Sequence, residues 1–333
     1  MFSAHPKSKP EDHPAADHAS LDTPCAEGRL GKTNFIHYLS QPSRSTKLFK
    51  RGEVINSRIH HTAIFVGSNV FMIGGQSSLD NSTASLQTTL LVMDSSMLVV
   101  NEQKSTKVSV AGHGAVPISD SKALILFGEK SIAPFMLADP VQQIDVQTGD
   151  ISSFNIKGTA PSARYAHTVA LVDNKVYIIG GTNATNVFGD ISYIDLSSNS
   201  WNMINIPRQA IAGHSTAVVG KYLVTCFGFD NKFQLQNGCN VFDTINNVYV
   251  NSRISGNPPT PRSYSSMVTN DNGDKVVYIF GGLDKSSRGF NDLYTLNATN
   301  LPNLTWSPVS LSAKSNQGLI PSPRGAHSAV MRS

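Results

Sequence analysis

The chain has 333 residues, of which 40% are hydrophobic and 15% charged, with a formal charge of +4. That length accommodates one large all-β domain, and so few charges suit short strands joined by Gly, Ser, Asn and Thr turns better than helices with charged faces. Lys and Arg form no dense block, so nucleic-acid and membrane-surface binding have no electrostatic support.

Residues 1–33 are polar, carry Pro6, Pro10, Pro14 and Pro24, and lack the apolar stretch of a secretory leader; a disordered N-terminal leader is expected there. No later segment reaches the roughly 18–20 apolar residues that span a bilayer. From residue 34 onward, NFIHYLSQPSRSTKLF has the look of two short strands. A recurring unit then begins at Arg58 with RIHHTAIFVGSNVFMIGG. It returns around His113 in GHGAVPISDSKALILFG and most fully from Arg164 in RYAHTVALVDNKVYIIGG. His214 marks a further copy in GHSTAVVGKYLVTCFG, and Arg262 another in RSYSSMVTNDNGDKVVYIFGG. Each copy reads as two strands, a polar loop, then two more strands, which is one antiparallel sheet. The closing PSPRGAHSAVMRS repeats only the first strand, with Arg324 and His327 in place.

From one glycine mark to the next the spacing is about 48–53 residues, near the period of roughly 50 for kelch repeats. The Arg-x-x-His start, the Gly-Gly pair after strand two, an Asp late in strand three (Asp94, Asp145, Asp195, Asp243, with Asn297 in the fifth unit) and a Trp in strand four (Trp201, Trp306) resemble that family. The Gly-Gly pair is kept at 74–75, 180–181 and 281–282 and reads as decayed to Gly128-Glu129 and Gly228-Phe229. Phe154 and Val250 are expected to replace the Trp in two other units. The resemblance implies an all-β, kelch-type β-propeller over 34–333, with six blades of four antiparallel strands. The last blade is shared by both termini: residues 34–49 supply strands three and four, 326–332 supply strand one, and strand two is missing. Closure of this kind removes open sheet edges. The missing strand suggests a piece of a longer parent.

His61, His113, His167, His214 and His327 recur at one position. A repeated position generally serves blade packing, so the expectation is structural imidazoles satisfied by local backbone, with no metal and no cofactor. Arg58, Arg164, Arg262 and Arg324 precede that position by three residues, near one mouth of the channel. In the ubiquitin-ligase adaptor branch of the family such arginines bind acidic peptides through paired donors; the alternative is a tie between neighbouring blades. Phe135, Met136, Phe188, Phe233 and Phe290 lie in the variable loops between strands two and three and form a candidate anchor set, of which at least half should fold back onto their blades. Cys226 and Cys239 lie on adjacent strands and could be bonded or free.

The function expected is a non-catalytic scaffold presenting these loops to a protein partner, cytoplasmic as the sequence stands. One alternative is an extracellular carbohydrate or cell-wall binder from a membrane-anchored parent, secreted or at the cell surface and reaching a membrane only through segments outside this chain. Asn81, Asn183, Asn297 and Asn303 begin glycosylation triplets, in a number that chance alone supplies. The other alternative is a galactose-oxidase-like copper enzyme, which the resemblance would require to show a Tyr cross-linked to a Cys.

Overall fold

A computed structural model of the chain describes residues 34–37, 57–78, 84–95, 99–132, 135–206, 209–269, 275–310 and 321–332. The leader expected at 1–33, residues 38–49 of the expected shared blade and Asn81 lie outside the described residues.

All the described elements are strands, arranged in repeating four-stranded sheets. The first strand, β1 (Asn34–His37), stands apart from them. Blade one is β2 (Thr62–Val66), β3 (Asn69–Ile73), β4 (Thr89–Asp94) and β5 (Val99–Ser105). Blade two is β6 (Gly114–Pro117), β7 (Lys122–Leu126), β10 (Val141–Asp145) and β11 (Ile151–Ser153), with a small hairpin of β8 (Glu129–Ser131) and β9 (Met136–Leu137) in its loop. Blade three comprises β12 (Thr168–Val172), β13 (Lys175–Ile179), β14 (Ile191–Asp195) and β15 (Ser200–Ile204). Blade four comprises β16 (Ser215–Val219), β17 (Tyr222–Cys226), β18 (Cys239–Asp243) and β19 (Val248–Val250). In blade five, β20 (Ile254–Gly256) joins in parallel the outer edge of a sheet made by β21 (Ser266–Thr269), β22 (Val276–Phe280), β23 (Leu293–Asn297) and β24 (Leu304–Val309). The last strand is β25 (Ala329–Arg332).

The inner strands close a ring: β2 lies beside β6, β6 beside β12, then β16, β21 and β25, and β25 lies again beside β2. One continuous circle of backbone hydrogen bonds fixes the count at six. Gly112 N–H donates to His60 O, Ala166 to Gly112, Gly213 to Ala166, Tyr264 to Gly213, Ala326 to Tyr264, and His60 to Ala326, all at 2.7–3.0 Å. Each of these residues has φ between 50° and 62°, the left-handed region that turns its N–H towards one neighbouring blade and its carbonyl towards the other.

Apolar side chains bury between adjacent blades. One layer joins Phe71, Leu90 and Ile125; the next joins Leu126, Phe127 and Ile178; further layers link blade three to four and four to five. Strand two, central in each sheet, is buried along nearly its whole length, as in β13 and β17, because both of its faces meet neighbours. At the seam of blades one and six, Val330 packs with Val70 and Met72.

Three sequence expectations need correction. β1 pairs directly with β25, Phe35 opposite Met331, in the seat of strand two instead of strand three; the inner strand's free edge offers unpaired backbone groups to the nearest extended segment. The register puts Ile151 and Tyr249 opposite Ile144 and Phe242, where Trp201 faces Ile194, so these and not Phe154 and Val250 hold the strand-four position. Finally, the glycine retained in blades two and four is the second of the pair. Gly128 and Gly228 match Gly181 in φ at 98°, 85° and 98°, and Phe127 and Phe227 stand where Gly180 does. A Cβ on Gly128 would lie 2.8 Å from the Ala111 carbonyl oxygen, whereas φ at the first position, 53° to 66°, admits a side chain.

The aspartates late in strand three act as turn caps. Asp195 Oδ1 accepts from the N–H groups of Ser197 and Ser198, and Asp145 and Asp243 do the same in their blades. Asn297 substitutes because its amide oxygen accepts equally well, here from Thr299 N–H.

Candidate binding site at the channel mouth

Strand one begins, and strand two ends, at the same end of every sheet, since the two are antiparallel. The Arg-x-x-His segments and the strand two–three loops therefore meet on one face, around the mouth of a central cavity of about 280 Å³.

The histidines wedge one blade against the next. His113 Cε1 occupies the space a Cβ on Gly74 would need, and His214 and His327 do so against Gly180 and Gly281. Where Phe127 replaces the glycine, its ring meets His167 edge-on at 5.6 Å. Backbone hydrogen bonds at Arg58 and Leu126 act on His61 and His167, the first of them local. His214 Nε2 meets Thr168 Oγ1 and His327 Nε2 meets Ser266 Oγ, both at 2.9 Å and both from the preceding blade. The nitrogens of His113 have no hydrogen-bond partner among the described residues. Burial drives the pKa of His61 and His113 down to about 3, so they line the wall as neutral rings. Among the described residues no three His, Cys, Asp or Glu side chains are placed to hold a metal ion.

The arginines are buried and already engaged. Arg164 grips Asp190 with two N–H groups at 2.7 and 3.0 Å, and donates to the carbonyls of Gly180 and Ser162. Arg262 repeats this with Asp292 at 2.6 and 2.8 Å, and with Gly281 and Thr260. Arg58 finds a neutral acceptor instead, Thr89 Oγ1 at 2.8 Å, and burial lowers its pKa to about 10. Arg324 donates to Ser322. Aromatic faces complete the packing: Phe188 lies 4.4 Å from the Arg164 guanidinium and Phe290 4.2 Å from that of Arg262. Phe188 and Phe290 are thus committed within their own blades. Phe135 and Met136, on the blade-two hairpin, and Phe233, on the blade-four loop, are exposed, Phe233 to 76%.

Sequence reasoning missed a crown of side chains above the cavity. Its members occupy the left-handed positions and their neighbours. His60 meets Tyr264 edge-on at 4.9 Å, Tyr264 lies 6.2 Å from Phe229, and Phe229 stacks on Phe233 at 5.7 Å. Tyr165 meets Phe135 at 5.7 Å. The rings rest on glycines: a Cβ on Gly213 would fall 2.9 Å from Phe229, and one on Gly112 would fall 3.3 Å from Tyr165. Glu129 stands among them, its carboxyl pushed up to about 7 by burial; burial first, and then the nearby acid, raise the pKa of Tyr165 and Tyr264. The available signal was the position itself, filled by His60, Gly112, Ala166, Gly213, Tyr264 and Ala326 without pattern, since a site that breaks the repeat is where recognition resides.

Cys226 and Cys239, directly opposite across β17 and β18 with Cα atoms 4.1 Å apart, are bonded to each other at the base of the Phe229–Phe233 loop. Neither is therefore a thiol able to link to a tyrosine. No helix among the described residues is long and apolar enough to cross a membrane.

A closed circle of six blades, five of them built on four antiparallel strands, with buried inter-strand arginines and second-position glycines, defines a propeller of the kelch class. The chain belongs to the family described as the KLHDC2/KLHL20/DRC7 Kelch-repeats domain, matched over residues 60–276 and 213–333. It is similar to human Kelch domain-containing protein 3, 26% identical over 77% of this chain and 72% of that protein. It also resembles Acyl-CoA-binding domain-containing protein 4 of Arabidopsis thaliana, 28% identical over 52% of this chain. A third relative is the bovine Rab9 effector protein with kelch motifs, 25% identical over 53% of this chain. The match spans 26% of the Arabidopsis protein and 48% of the Rab9 effector.

Proposed function

We propose that this propeller is a non-catalytic protein-interaction scaffold that presents its loop-bearing face to a segment of a partner protein. The observation that carries this reading is the crown: aromatic rings, with polar groups that have no hydrogen-bond partner among the described residues, converge over the mouth, flanked by exposed Phe135, Met136 and Phe233. Buried aromatic anchors within a polar surround are the composition of interaction hot spots. The kelch relatives support it, one being named an effector protein. Proximity labelling in the native cell tests it. Phe135→Ala with Phe233→Ala should remove the labelled partners, whereas Met203→Ala with Val248→Ala, on the outer strands, should leave them. Equal labelling by both variants would overturn the assignment of the face.

The disulfide favours a second reading, an extracellular binding domain of a membrane-anchored parent, because such bonds persist in oxidising compartments. Alkylation of protein taken directly from its cells decides: two adducts at Cys226 and Cys239 before reduction would remove this support.

A further inference from the structure

Three polar groups at the crown lack any hydrogen-bond or ion-pair partner among the described residues: the Glu129 carboxylate and the hydroxyls of Tyr165 and Tyr264. They come from blades two, three and five, so chain proximity does not explain their meeting. Burial already disfavours the charge on Glu129, and no described cation stands close enough to lower its pKa. The neighbouring cations are occupied. Arg164 and Arg262 are held by Asp190 and Asp292. Out on the loops, Lys232 faces Asp230, and Lys285 and Arg288 face Asp284. Lys130 is exposed beside Glu129 in sequence. The Gly128 N–H donates to the Arg164 carbonyl at 2.9 Å, which sets Glu129 beside Tyr165, and the acid lies within electrostatic reach of Tyr264, whose ring continues to Phe229.

We propose that the crown binds a lysine or arginine side chain of the partner segment, the cation seated against the Tyr165 and Tyr264 rings and paired with the Glu129 carboxylate. This inference rests on the scaffold reading and names the chemistry of its partner. An acid beside aromatic faces is the complement of an alkyl-stemmed cation, which stacks on the rings and brings the counter-charge that the half-buried carboxylate lacks. Phe135 and Phe233, outside the acid, would meet flanking apolar residues of the same segment.

Selection of a displayed random heptapeptide library on the full chain, in parallel with Glu129→Gln, provides the test. The wild-type chain should enrich peptides with Lys or Arg at one fixed position, and Glu129→Gln should lose that preference. For one enriched peptide, exchanging the cation for norleucine should weaken binding at least tenfold on the wild-type chain and less than threefold on Glu129→Gln. Tyr264→Phe, which keeps the ring, should keep most of the affinity, and its melting curve serves with that of Glu129→Gln as the check on folding. A consensus without a cation, or with Asp or Glu, whose binding is lost in Phe233→Ala, would overturn the cation assignment while leaving the scaffold reading intact. Absence of any enriched peptide would overturn both.

Discussion

Asp190 is exchanged in three ways to test whether the inter-strand arginines are structural ties. Arg164 is almost wholly buried, and the Asp190 side chain is 25% exposed. Asp190→Ala removes two charge-assisted acceptors and leaves a guanidinium in the blade with its bonds to Gly180 and Ser162 alone. Breaking a buried pair costs about 3–5 kcal/mol; water can partly replace a quarter-exposed carboxylate, so about 3 kcal/mol is expected. In a domain of this size 1 kcal/mol moves the melting temperature by roughly 2 °C, giving a loss of about 6 °C. Blade one supplies the control, since Arg58 is satisfied there by Thr89. Asp190→Thr should therefore recover about half, a loss of roughly 1.5 kcal/mol. Combining Asp190→Ala with Arg164→Met should show a coupling of about 2 kcal/mol in thermal melts. If Asp190→Ala melts within a degree of the parent, or Asp190→Thr is no better than Asp190→Ala, the arginine is not a tie of this kind.

Gly128→Ala, which combines φ of 98° with a carbonyl oxygen 2.8 Å away, should destabilise by about 3 kcal/mol in urea titrations. Gly220→Ala, with φ of 59° and nothing near, should cost about 1 kcal/mol. His61 and His113 are neutral when folded down to about pH 3, while the unfolded chain protonates them near pH 6.5. Stability should thus be complete above pH 6.5 and fall as pH drops towards 3, by up to about 1.4 kcal/mol per unit for each histidine, and His113→Asn should flatten that slope. Glu129 has the opposite sign: its raised folded value means stability is full below about pH 4.5 and lost as pH rises through about 7. Glu129→Gln should match the parent at pH 4 and exceed it at pH 8 by on the order of 1–2 kcal/mol.

The repeat made the fold legible because every blade obeys the same rules of alternation, turn chemistry and glycine placement. Even the shared last blade could be read from Arg324 and His327. What could not be read was register. NFIH sets two adjacent apolar residues between two polar ones, a pattern that fits either seat, so nothing in those four residues distinguishes strand two from strand three. The Gly-Phe and Gly-Glu pairs misled for a related reason: spacing places two residues near a turn, but only φ tells which one must be glycine. At the site, repetition hid what mattered. Arg164 and Arg262 recur because they hold blades, whereas Tyr165, Tyr264 and Glu129 are singular and come together only through the curvature of the ring.

The circle of left-handed peptides has a mechanical consequence. At five seams the chain itself runs from blade to blade, so covalent links back up the hydrogen bonds. The sixth seam is a buckle, closed by His60 on Ala326, Ser328 on the His61 carbonyl and the short lap of β1 on β25. Tension on the ring, from heat or from a partner prising at the crown, concentrates there. Amide exchange at His60 and Ala326 should then lead that of the equivalent pair Ala166 and Gly213, and the buckle sets how long the crown keeps its shape.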